Sequence, residues 1–175
     1  MATFFTSLSL ILILSLTAGD LLRRGDAAAA IDSVCAKTRQ PSRCVNLLQS
    51  TDTRSGTANL AVLAQIAIEA AMDSAGGVKI KAHNLFLSAR NPNLKSIFGN
   101  CENLCANGLD QLLIAPQYLQ KRNYGKLVAA AGVVGGGARG CAAAVAKDGG
   151  LKQGNDDTAI LAEAIGVIAT LLSIF

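Results

Sequence analysis

From Ala58 to Ala89 the chain runs without a proline, and its apolar residues return every three or four positions: Leu60, Leu63, Ile66, Ala67, Ala70, Val78, Ala82, Leu85, Phe86 and Ala89. That spacing is the period of an α-helix and not the alternation of a strand. A helix this long is not stable alone in water and must bury its apolar stripe against partners. The stretch "SAGG" at 74–77 is expected to loosen its middle. "RNP" at 90–92 ends it, because the residue before a proline is driven out of the α region.

The same reading continues downstream. A second helix is predicted after Pro92, with Asn93 as its N-cap and Pro116 as its end. Its stripe is Leu94, Ile97, Phe98, Cys101, Leu104, Cys105, Leu112 and Leu113. A third is predicted from about Gln120 to Lys147, through Tyr124, Leu127, Val128, Ala131, Val134, Ala138, Cys141 and Val145. It carries Gly132, Gly135, Gly136, Gly137 and Gly140, each costing up to about 1 kcal/mol relative to alanine. "KDGGLKQGNDD" at 147–157 is read as a loop, with Asp156 or Asp157 capping a fourth helix. That helix presents Ile160, Leu161, Ala164, Ile165, Ile168, Leu171 and Leu172. No window alternates as a strand would. Four long helices on short loops predict an all-α fold, an antiparallel four-helix bundle.

Residues 4–18, "FFTSLSLILILSLTA", are uncharged and apolar but shorter than the roughly 20 residues a bilayer span needs. The alanines at 27–30 supply small residues for a cleavage site. The reading is a secretory signal peptide over 1–27, cleaved between Ala27 and Ala30, with Thr17–Gly19 as a second candidate, and one domain over 28–175. After cleavage no membrane association is expected. The C-terminal run "AILAEAIGVIATLLSIF" carries Glu163 and reads as a buried helix.

Cleavage would remove Asp20, Arg23, Arg24 and Asp26, two charges of each sign, so the net charge stays at +4. The basic residues are scattered, and no cluster resembles a nucleic-acid patch. No Asn-x-Ser/Thr sequon occurs.

In a secreted chain, cysteines are normally disulfides, and this one has five: Cys35, Cys44, Cys101, Cys105 and Cys141. Cys35 closes a short helical stretch (28–38), "RQPS" turns the chain, and Cys44 enters a second short helix with Val45, Leu47 and Leu48. An α-hairpin of this size brings two Cα atoms within disulfide reach. A stapled N-terminal hairpin is therefore expected to precede the bundle. Cys101 and Cys105 sit one turn apart on one helix face and cannot easily bond each other; one of them should reach Cys141. A zinc site made of these three with His83, the chain's one histidine, matches no usual ligand spacing.

Catalytic patterns are wanting. His83 falls mid-helix beside Lys79 and Lys81, with no nucleophile or carboxylate to form a triad. Glu102, Asp110 and Glu163 read as surface charges. "GVVGGGARG" at 132–140 lacks the Gly-Lys-Ser/Thr ending and preceding strand of a phosphate loop. A protein that acts by binding, without cofactor or metal, is the consistent reading. Aromatics make up only 4% of the chain, and binding anchors concentrate in "QYLQKRNY" at 117–124, where Tyr118, Arg122 and Tyr124 are the candidate partner contacts.

The order of leader, "CAKTRQPSRCVNLL" at 35–48, "CENLCANGLDQL" at 101–112 and "LVAAAGVVGGGARGC" at 127–141 resembles the plant invertase and pectin methylesterase inhibitor family over essentially the whole mature chain. The resemblance implies disulfides Cys35–Cys44 and Cys101–Cys141, with Cys105 as a free thiol at a position the family usually fills with tyrosine. It implies a secreted inhibitor acting in the apoplast and cell wall. This inhibitor would form a 1:1 complex that occludes the active-site cleft of pectin methylesterase or acid invertase. Invertase inhibitors of the family often carry Pro-Lys-Phe, and no proline here precedes a lysine, so pectin methylesterase is the expected target. The alternative, which the low aromatic content favours, is a diverged, non-inhibitory secreted binding bundle.

Overall fold

The structure is a computed structural model that describes residues 29–52, 55 and 58–174. The leader expected over 1–27 lies outside the described residues. A helical segment at 29–35 is followed by five helices: α1 (Pro41–Thr51), α2 (Leu60–Ser88), α3 (Pro92–Gln120), α4 (Tyr124–Ala144) and α5 (Gly149–Leu172). Among the described residues there is no strand.

Helices α2 to α5 form an antiparallel four-helix bundle in which each packs on the next and α5 returns to α2. The register can be read from close pairs. Cys101 lies opposite Cys141 and Gly108 opposite Val134, so α3 and α4 run antiparallel. Gly135 meets Ala162 and Gly166 meets Ala131 across α4 and α5. Ser74 bonds Thr158 across α2 and α5. Helix α1 lies against α5 and α2, and the hairpin buries Ile31, Val34, Cys35, Cys44 and Leu48 in the main core. Alone, α2 and α4 are long and apolar enough to cross a membrane; in the bundle, about half of each is buried against its neighbours.

Helix ends follow their caps, and several differ from the sequence expectation: α4 starts at Tyr124 behind the Asn123 cap, not at about Gln120, and ends at Ala144, not Lys147. Asn91, not Asn93, caps α3, accepting from the backbone N–H groups of Asn93 and Leu94; Pro92 then takes the first helical position, where its missing N–H costs nothing. Pro116 does not end α3, which continues to Gln120. The proline faces solvent while Ala115 is buried, and Tyr118 and Leu119 pack on the core, so tertiary burial outweighs one lost backbone bond. The expected loop at 147–157 is mostly helix: Asp148 caps α5 by accepting from Leu151 N–H at 2.8 Å. Buried Leu151 and Asn155 hold its first turns.

Three stripe residues also differ: Val128 on α4 follows buried Leu127 and is exposed, and two on α3 are exposed as well. Leu113 follows buried Leu112 and points out to solvent. Leu94 is exposed because it lies two turns before Cys101, which the disulfide sets opposite Cys141 near the end of α4. The "SAGG" stretch does not interrupt α2; Ser74 donates to the Gly154 carbonyl at 3.1 Å and lies 2.9 Å from the Thr158 hydroxyl.

The glycine-rich α4 is an unbroken helix because some of its glycines are contact points. A Cβ at Gly137 would sit 3.3 Å from the Leu104 carbonyl oxygen, and one at Gly135 would be 3.4 Å from the Ala162 Cβ. Close helix approach on two sides offsets their poor propensity. On α5, Gly154 makes room for Val78, whose Cγ2 would be 2.7 Å from an added Cβ.

Candidate functional site

Five cysteines occupy two places. Cys35 and Cys44 form a disulfide with a Cα–Cα distance of 5.5 Å, tying the segment 29–35 to α1. Cys101 and Cys141 form the second, at 5.0 Å, tying α3 to α4. Cys105 is a buried free thiol in the same apolar cluster as that bridge, with Val78, Ala82, Val145 and Leu151. The antiparallel register places Cys105 opposite Gly137, a full turn from Cys141. Burial pushes its thiol pKa up to about 11, with Lys79 opposing weakly. Asn155 closes the cluster, its Nδ2 donating to Cys141 Sγ at 3.1 Å and to the Leu151 carbonyl at 2.9 Å.

Among the described residues the other titratable groups do not converge as a nucleophile, base and orienting carboxylate. His83 is exposed, with Nδ1 3.1 Å from Glu102 Oε1 and no nucleophile attached to the pair. Asp110 is exposed. Among the described residues no three His, Cys, Asp or Glu side chains converge on a point. The zinc arrangement is excluded by the bridge itself, which consumes two of its thiols.

Glu163 is the exception, and sequence spacing gave no hint of it. Its Oε1 accepts from Arg39 Nε at 2.7 Å and faces Arg139 Nη1 at 3.4 Å, while Oε2 accepts from the Arg39 backbone N–H at 3.1 Å. One carboxylate on α5 thus joins the hairpin bend to α4. A second tie follows one turn away in α1, where Arg43 Nε donates to Asp157; this hydrogen bond, ahead of the opposing desolvation, raises the Arg43 pKa. Groups more than a hundred positions apart meet only through the fold.

The candidate anchors lie at the α3–α4 corner. Tyr118 and Tyr124 are half-buried and pack on the core, with Lys126 Nζ 5.8 Å from the Tyr118 ring centre. Arg122 is exposed between the helices in the left-handed conformation, φ 54°. The corner leads directly into the outward face of α4. Along that face run Gly125, Ala129, Gly132, Gly136, Gly140 and Ala143, all exposed. Cβ atoms added at Gly125, Gly132 or Gly136 would meet nothing within 4 Å. Gly132 and Gly136 weaken the helix, and all three glycines lack a side-chain neighbour among the described residues. The sequence marks Gly132 and Gly136 only as costly helix residues, alike with Gly135 and Gly137; packing separates the two sets.

Comparison with known proteins agrees with this architecture. The sequence profile described as "Plant invertase/pectin methylesterase inhibitor" matches residues 29–165. A pectinesterase inhibitor from Actinidia deliciosa is 35% identical over 97 residues, which are 55% of this chain and 52% of that protein. The match therefore spans about half the length of that relative. The crystal structure of a mutant form of a pectin methylesterase inhibitor from Arabidopsis superposes with a TM-score of 0.73 at 20% identity, covering 81% of this chain and 95% of the other. A pectin methylesterase inhibitor structure from Arabidopsis thaliana gives a TM-score of 0.63 at 19% identity, covering 82% and 96%. At these identities the structural matches speak to the fold, and the profile match to the family: the chain belongs to the plant invertase/pectin methylesterase inhibitor family.

Proposed function

We propose that this chain is a secreted inhibitor that binds pectin methylesterase one-to-one in the plant cell wall and occludes its active-site cleft, without catalysing a reaction itself. The carrying observation is the outward face of α4. Glycine in a helix interior costs about 1 kcal/mol, and Gly132 and Gly136 recover none of it through contacts among the described residues. A partner surface that must approach the helix backbone closely accounts for them. Two disulfides and the buried bundle core hold that face rigid, which reduces the entropy lost on binding. Tyr118, Arg122 and Tyr124 extend the same surface at its N-terminal end and are the proposed anchors. The domain is taken as 28–175, released from a signal peptide over 1–27.

The test is a titration of plant pectin methylesterase, and separately of acid invertase, with oxidised chain starting at Ile31. Stoichiometric loss of esterase activity is expected. Loss of invertase activity instead would reassign the target, and no effect on either enzyme, with both disulfides intact, would refute the inhibitor reading.

A further inference from the structure

A half-open groove of about 400 Å³ runs between the hairpin bend and the α4–α5 seam, within the roughly 300–1,000 Å³ of small-ligand sites. Ala142, Ala143, Ala146, Ala159 and Ile160 line it with apolar surface, Arg39 and Arg139 stand on one side, and Lys152, paired with Asp156 at 2.6 Å, stands on the other. The two guanidinium groups share the single carboxylate of Glu163. That junction keeps a net positive charge, since one carboxylate cannot neutralise two cations. Arg39 engages Glu163 through Nε and Arg139 through one Nη, so most of the ten N–H donors on the two forks remain for a ligand.

The junction is also shaped by the fold. A Cβ at Gly135 would lie 3.0 Å from Arg139 Nη1; the missing side chain lets the arginine lie back along its own helix to reach Glu163. The backbone N–H of Arg39 on Glu163 fixes the other guanidinium to the disulfide-stapled bend. From Gln111 to Lys147 the chain has no acidic residue, while it has Lys121, Arg122, Lys126, Arg139 and Lys147. Asp156 and Glu163 of α5 offset part of this charge, and with Arg39, Arg139 and Lys152 against those two carboxylates the groove keeps a net positive charge that favours anions.

We propose that this groove binds a carboxylated sugar: a uronate unit of an acidic polysaccharide, its carboxylate held by the Arg39 and Arg139 forks and its ring lying on the alanine floor. The choice of a uronate rests on the inhibitor reading above. Hydrolysis of a methyl-esterified uronate polymer leaves a carboxylate where a neutral ester stood, and a guanidinium pair distinguishes those two groups sharply. The inhibitor would then be retained where its target enzyme has already acted.

The test needs no enzyme. The oxidised chain is titrated with a short galacturonate oligomer, with the same oligomer fully methyl-esterified, and with inorganic sulfate, following amide shifts by NMR at low ionic strength. The acid oligomer should bind with shifts centred on Arg39, Arg139 and Ala143, the ester should bind at least tenfold more weakly, and sulfate should compete poorly. Arg139→Gln should weaken the acid oligomer about tenfold, and the NMR spectrum reports whether the variant stays folded. No binding, equal binding of acid and ester, equal competition by sulfate, or an unaffected folded Arg139→Gln chain would each overturn the proposal. The readings fail separately: oligomer binding without inhibition of any enzyme would uphold the groove and remove the inhibitor, and inhibition without oligomer binding would do the reverse.

Discussion

Gly137 on α4 lies against Leu104 on α3 so closely that an added Cβ would be 3.3 Å from the Leu104 carbonyl oxygen and 3.6 Å from its Cβ. The neighbouring Gly136 faces open space. Two adjacent glycines of one helix therefore have opposite roles. Gly136→Ala should raise stability by about 0.5–1 kcal/mol, the ordinary helix-propensity gain. Gly137→Ala should fall below the parent protein, because the atom it must displace belongs to another helix's backbone and cannot move alone. Urea unfolding of the two variants checks this, and equal effects would show that α3 and α4 are less closely packed than described.

The sequence alone could not separate those glycines, since both break the same helix rule. What it did carry was periodicity: the stripes through Ile66, Ala67 and Ala70, and through Ile160, Leu161 and Ile165, are buried as their spacing requires. Helix ends were less legible. Asn91 and Asn93 are equally good caps by type, and the choice depends on Pro92 fitting the first turn. The start of α5 was hidden because Gly149, Gly150 and Gly154 look like loop; Gly154 is there to accommodate Val78 on α2, a residue far off in the sequence. The Arg39–Glu163–Arg139 junction was invisible for the same reason, since its members are brought together only by tertiary packing.

The two disulfides should contribute unequally. Cys35–Cys44 closes a sequence separation of 9 and Cys101–Cys141 one of 40. In the chain-entropy model these loops correspond to about 2.5 and about 4 kcal/mol. The double variant Cys101→Ser/Cys141→Ser should lose more stability than Cys35→Ser/Cys44→Ser, read as the drop in the urea midpoint of each. The opposite ranking would mean that the hairpin depends on its staple for more than loop closure.

Cys105 should be chemically quiet in the folded protein. Raising its pKa from 9.0 to about 11 cuts the thiolate present at mildly alkaline pH about 100-fold, and the thiolate is the reactive form. Burial slows reagent access further. Iodoacetamide labelling at about pH 8 should be at least 100-fold slower than in denaturant, with both disulfides unchanged. The neutral thiol favours the folded state, so this contribution is full below pH 9 and is lost as pH rises through about 11. Rapid labelling of the native chain would contradict the burial.

Asp148 begins α5 and links it to α2. The hydrogen bond from the Leu151 backbone, more than Lys81 Nζ at 3.3 Å, holds its carboxyl below the ordinary range. A carboxylate with a depressed pKa stabilises the fold above the unfolded value, about 3.9, and loses that contribution as pH falls through the folded value. Asp148→Ala should cost about 1 kcal/mol at neutral pH, with the gap narrowing in acid. Asp148→Asn, which keeps a capping oxygen, should cost less. Urea midpoints measured across that acid range give the comparison.

The most direct test of the account is the affinity of pectin methylesterase for the parent chain and for Gly132→Gln/Gly136→Gln, measured by titration calorimetry with circular dichroism as the fold control. Both positions are exposed, and a Cβ at either meets nothing within 4 Å among the described residues, so the variant should remain folded. The parent should bind one-to-one and inhibit, and the variant should lose at least tenfold in affinity because two long side chains hold the partner off the helix backbone. Absence of binding by the parent, or equal affinity of the folded variant, would contradict the claim that this face of α4 is the inhibitory surface.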